Sequence, residues 1–128
     1  MFFLHYYPKV KWSLHEKFYI CMMLEQVQNF IKQEALFKTG DRLILACSGG
    51  KDSMVLIDVL RKLNYAFVVA HCNYNLRGAE SEADLVFLKK YCEYRQLDFR
   101  SVSFETSRIS QEQKRSIQDL ARSLRYNW

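Results

Sequence analysis

The sequence predicts an α/β domain built on a parallel sheet of at least three strands. Three short apolar runs, Leu43–Cys47, Tyr65–Ala70 and Phe99–Phe104, are each followed by a stretch with helical spacing. The intervals between the runs are long enough for crossover helices, which parallel neighbours require. A glycine-bearing loop, Ser48 to Ser53, follows the first run, at the strand end where open α/β sheets bind ligands.

The elements follow in order. Residues 1–21 are aromatic-rich without a clean period and are read as a leader, with the domain spanning 22–128. Leu24, Val27 and Ile31, with Phe30 and Ala35 beside them, form an apolar stripe at helical spacing that should stop near Gly40. LILAC, 43–47, reads as a buried strand, and 54–63 as a helix apolar around much of its circumference. YAFVVA, 65–70, is the second strand, with NYNLRG, 73–78, as a loop. A long helix follows over 80–95, where Ala83, Val86, Phe87, Tyr91 and Tyr94 repeat at three and four. RSVSF alternates as a strand nearer an edge should, and 116–128 forms a last helix with Ser116 and Asp119 at capping spacing. Three strands make a thin parallel sheet, and no closing strand follows Tyr126. The expectation is therefore the front part of a five-stranded domain, incomplete at its C-terminus.

Composition narrows the class. At 128 residues, 49% of them apolar, the chain has material for one core. Cys21, Cys47, Cys72 and Cys92 stand far apart, which suits free thiols in a reducing cytosol better than a disulfide framework. No apolar run approaches a membrane span, and His5, Pro8, Lys9 and Lys11 break the start before a signal peptide could form. A soluble cytoplasmic protein is expected. The net charge of +5, of which the leader carries +2, suits a polyanionic partner or an ordinary solvated surface equally.

The loop Ser48-Gly49-Gly50-Lys51-Asp52-Ser53 carries the chemistry. Glycines after a strand permit backbone angles and close approach denied to other residues, and the following helix turns its free N–H groups to the same space. With hydroxyls on either side, the natural guest is a phosphate or pyrophosphate. Neither the dinucleotide fingerprint nor the Walker A spacing is present. Background composition would produce S-G-G-x-D-S in such a chain only about once in ten thousand times.

SGGKDS resembles the PP-loop of the N-type ATP pyrophosphatases, the adenine-nucleotide alpha-hydrolase-like fold, whose members split ATP into AMP and pyrophosphate while adenylating a carbonyl oxygen. HCNYNLRGAESEAD, 71–84, and the A-R-x-x-R-Y residues of the last helix, Ala121, Arg122, Arg125 and Tyr126, are similar to segments of the tRNA(Ile)-lysidine synthetases. The likeness runs from about Met22 to the end. It implies ATP and Mg²⁺ as cofactors, with Ser48, Gly49, Gly50, Asp52 and Ser53 on ATP and Lys51 near phosphate charge. Asp52 would sit by the metal, Asp52 and Arg77 would be catalytic, and His71, Asn75, Arg122 and Arg125 would contact substrate or tRNA.

The resemblance further implies lysine and tRNA(Ile) as partners, no membrane, and leaves a homodimer open. Each residue also has a plainer reading: His71 as a satisfied strand-end histidine, Arg77 as a loop charge, Arg122 and Arg125 as the wet side of a helix. Two other functions stay open, another PP-loop enzyme such as a tRNA thiolase, and a non-catalytic nucleotide-binding fragment. Members of the family continue into a histidine- and aspartate-rich motif and tRNA-holding domains that this sequence does not contain, and no C-x-x-C pair of the thiolating relatives is present.

Overall fold

The computed structural model describes residues 14–128, so most of the leader lies outside the described residues. The chain divides into two compact units, the second starting at Gly40. The first contains helix α1, Leu14–Gln33. This helix begins ahead of the apolar stripe that announced it and passes through Met22. It also ends before Gly40: Leu36 N–H reaches back to the Ile31 carbonyl and Ala35 N–H to Lys32, with Ala35 at φ 49°.

The second unit holds the sheet. Strands β1 (Arg42–Ala46), β2 (Ala66–Asn73) and β3 (Asp98–Ser103) lie side by side in that order, all parallel. Helix α2 (Lys51–Lys62) joins the first two strands and α3 (Ala79–Arg95) joins the next two. Because the strands advance in one direction and such crossovers are right-handed, both helices fall on one face of the sheet. There Leu45, Phe67 and Val69 pack with Ile57 and Leu60 of α2 and Leu88 and Cys92 of α3, all buried. The alternation of β2 shows the two faces directly: Phe67, Val69, His71 and Asn73 are buried, while Val68, Ala70 and Cys72 between them are half-buried. After β3 come α4 (Thr106–Gln113) and α5 (Ile117–Asn127), which pack on each other.

The α/β class and the parallel order are those expected. Four details differ. LILAC is an edge strand rather than a fully buried one, with Ile44 80% exposed. β2 runs three residues past Ala70, because β3 pairs with 68–73 while β1 pairs only with 66–70. α2 starts at Lys51, directly after the glycines, not at Met54. And α4 occupies a stretch with no helical apolar stripe, TSRISQEQ, anchored by a fully buried Thr106. Among the described residues, no helix is long and apolar enough to cross a membrane.

Candidate anion-binding loop and trough

The loop is built at the seam between β1 and α2. Cys47 N–H makes the last bond to β2, to the Ala70 carbonyl at 2.8 Å, and the chain then turns away. Gly49 takes φ +88°, an angle that side-chain-bearing residues avoid. Space is not the constraint there, since a Cβ would meet Asp84 and Leu88 at an ordinary 3.7 Å. Gly50 is extended, φ −72° and ψ 164°, and caps α2 without a side-chain bond. A Cβ there would meet only Ser48 Oγ, at 3.4 Å, so the fold itself makes little demand for glycine at this position.

The first intrahelical bond of α2 runs from Met54 N–H to the Gly50 carbonyl at 3.1 Å. The N–H groups of Lys51, Asp52 and Ser53 therefore lie ahead of any intrahelical acceptor, at the positive end of the helix dipole. The two hydroxyls knit the turn. Ser53 Oγ donates to the Gly50 carbonyl at 2.8 Å and accepts from Cys47 Sγ at 3.3 Å. Ser48 Oγ accepts from Gly50 N–H at 3.3 Å and stands 3.4 Å from Ser53 Oγ. Backbone donors converging on a bare, rigid turn at a helix N-terminus can hold a phosphate-sized anion.

The loop opens onto a trough of about 1250 Å³ along the sheet face opposite α2 and α3. Ile44, Val68 and Ala70 contribute to its apolar floor, and Ser48, Ser53, His71, Arg77, Arg125 and Asp84 bring polar groups to it. Arg77 Nη2 is held by Asp84 Oδ2 at 3.1 Å and Arg77 Nη1 stands 3.6 Å from Glu80 Oε2, so an acidic pair steadies the guanidinium beside the loop. Arg125, from the end of α5, lies over the Tyr126 ring at 5.6 Å. Cys72 also lines the trough, its thiol pushed above the ordinary range by burial against the pull of the Tyr74 hydroxyl and Arg125.

The structure thus gathers Ser48, Ser53, His71, Arg77 and Arg125 around one cavity. Gly49 and Gly50 shape the turn, while Lys51 and Asp52 are exposed on the first turn of α2 and do not line the trough. Asn75 and Arg122 stand apart from it. Asn75 ties its loop to the start of α4 through Glu105 at 3.2 Å, and Arg122 lies over Tyr126 at 5.7 Å. Asp84, Tyr126 and Trp128 also line the trough, and none of them was assigned to the site from sequence, although Tyr126 belongs to the family-like stretch of the last helix. Asp84 also had a local signal, standing one turn beyond the acidic start of α3.

A Mg²⁺ ion fits this donor set as a substrate-borne metal. Among the described residues no group of three or more His, Cys, Asp or Glu is poised to hold a metal, but Mg²⁺ commonly needs just one or two carboxylates beside phosphate oxygens. Asp52, exposed in the first turn of α2, offers one.

The PP-loop domain model matches residues 22–128. Curated relatives include the tRNA(Ile)-lysidine synthase of Porphyromonas gingivalis, 43% identical over 107 residues, a match covering 83% of this chain and 24% of the relative. The proteins of the same name from Bacteroides thetaiotaomicron and Chlorobaculum tepidum are 39% and 40% identical over 84% and 80% of this chain, and 25% and 32% of their own lengths. The chain spans about a quarter of the first of these relatives. With the loop geometry, the matched span and these likenesses in agreement, the chain belongs to the PP-loop family.

Proposed function

We propose that this chain is the nucleotide-gripping part of a cytoplasmic, ATP-dependent carbon–nitrogen ligase that joins lysine to C2 of the wobble cytidine of tRNA(Ile). The observation that carries the reading is the left-handed turn at Gly49 set against the three N–H groups that precede the Met54–Gly50 bond at the start of α2. The names of the relatives supply the substrate class.

In this reading the N–H groups of Lys51, Asp52 and Ser53 and the Ser48 hydroxyl hold the ATP phosphates, and the Lys51 ammonium faces their charge. Asp52 would hold Mg²⁺, which supplies charge neutralisation on the departing pyrophosphate. The C2 carbonyl oxygen attacks the α-phosphorus and pyrophosphate leaves. An oxygen that could not leave as oxide can then leave within AMP when the lysine amine attacks C2. Arg77, steadied by Asp84, is the cation that would meet charge growing on the phosphoryl group.

Calorimetry of Mg·ATP with the 128-residue chain, beside a Gly49→Ala variant, tests the grip. The chain should bind, and Gly49→Ala should lose most of the affinity, because a Cβ strains the turn at φ +88°. A folded chain that ignores Mg·ATP would refute the assignment.

A further inference from the structure

His71 does something at the loop other than wait for substrate. Strand pairing between β1 and β2 stops at the Ala46–Ala70 step, and the chain must leave the sheet at a defined angle to form the turn. Cys47 N–H still reaches β2, but the Cys47 carbonyl is taken by the His71 ring, whose Nδ1 lies 2.8 Å away. A carbonyl can only accept, so Nδ1 carries the proton and donates. In the neutral ring that fixes Nε2 as a bare acceptor, and Nε2 is fully buried with no hydrogen-bond partner among the described residues. The whole residue is 5% exposed. The one hydrogen bond of its side chain among the described residues is therefore with the residue immediately before Ser48.

We propose that His71 is a positioning residue for the loop. Its Nδ1–H latches the Cys47 carbonyl where the strand ladder gives out, fixing the angle at which Ser48, Gly49 and Gly50 leave the sheet. This rests on the PP-loop reading for its consequence, weaker nucleotide binding when the latch is lost, but the latch itself is a matter of the fold. Three substitutions separate the two ring nitrogens. Asparagine places an N–H donor close to where histidine carries Nδ1, glutamine reaches toward the position of Nε2, and leucine provides neither.

The test is residue-resolved amide hydrogen exchange of the 128-residue chain, followed by Mg·ATP titration, for wild type, His71→Asn, His71→Gln and His71→Leu. The Val69 amide and the thermal melt serve as the check on folding. The Cys47 amide should exchange about tenfold faster in the glutamine and leucine variants and stay near wild type in the asparagine variant. Affinity for Mg·ATP should fall about tenfold in the same two and be retained by asparagine.

Should leucine prevent folding, the asparagine and glutamine pair still decides the matter. Unchanged Cys47 exchange in every folded variant would overturn the latch. So would affinity kept by glutamine and lost by asparagine, which would make Nε2 a substrate contact. A wild-type chain that binds no Mg·ATP refutes the PP-loop reading separately, while the exchange rates still judge the latch.

Discussion

At the scale of single residues, the four thiols divide by environment. Cys21 is exposed on α1, whereas Cys47 and Cys92 are buried and Cys72 is half-buried in the trough. Burial and the nearby Cys47 push Cys92 up to about 11, and burial likewise raises Cys72. A thiol raised in this way is almost wholly protonated at neutral pH and so a poor nucleophile. Cys72 is therefore held in the trough mainly as the neutral thiol. A maleimide at pH 7.5 should label Cys21 first and leave Cys72 and Cys92 largely untouched until the chain is unfolded, as read by peptide mass spectrometry. Labelling of Cys72 at the rate of Cys21 would show that the burial assigned to it is wrong. The residue scale also shows where sequence reasoning reached its limit. The two loop glycines read alike in SGGKDS, yet only Gly49 occupies the left-handed region, a distinction held by tertiary geometry rather than composition.

Among the elements, the common feature is how helices stop. α1, α2, α3 and α4 all close with an N–H reaching back five residues, namely Leu36 to Ile31, Tyr65 to Leu60, Leu97 to Cys92 and Arg115 to Ser110. The residue before each of these donors is left-handed, and it is Ala35, Asn64, Gln96 or Lys114, never glycine. This is the Schellman closure, normally signalled by glycine. Its absence explains why Gly40 was mistaken for the stop of α1. The start of α5 was legible because Ser116 Oγ does accept from Asp119 N–H at 3.2 Å, as the spacing implied. α4 was not, since its polar face hides a short helix whose hold on the fold is Thr106. The strained closures are also open to improvement. Gln96, exposed at φ 55°, should accept glycine with a gain of about 0.5 to 1 kcal/mol, the relief of the left-handed strain outweighing the added freedom of the unfolded chain. Denaturant melts of Gln96→Gly against wild type would reveal it, and a loss of stability would mean that the Gln96 side chain holds α3 in place.

Across the whole second unit, the alternation of apolar runs and helical stripes was enough to give the parallel order and to set the loop at the end of β1. Sequence could not give the stagger that carries β2 on to Asn73, because the apolar run ends at Ala70 and only the pairing with β3 continues the strand beyond it. That same extension brings His71, already a candidate from sequence, beneath the loop, so its contact with Cys47 depends on long-range register. Core and site are joined in a second way. Leu88 is fully buried on α3, and its Cδ1 lies 3.7 Å from where a Cβ on Gly49 would stand, so the floor of the loop is also the top of the core. Leu60 is buried in the same layer but lies ~13 Å farther along α2 from the loop, at 1.5 Å per residue. Truncating either to alanine should cost about 2 to 5 kcal/mol, because each leaves a cavity that the sheet and helices fill only in part. Their effects on ligand should differ. Leu88→Ala removes support under Gly49 and should weaken Mg·ATP binding measured well below its melting temperature, whereas Leu60→Ala should leave the affinity of the folded fraction unchanged. Equal affinities in the two variants would mean that the turn keeps its shape through its own hydroxyl bonds, without help from the core beneath it.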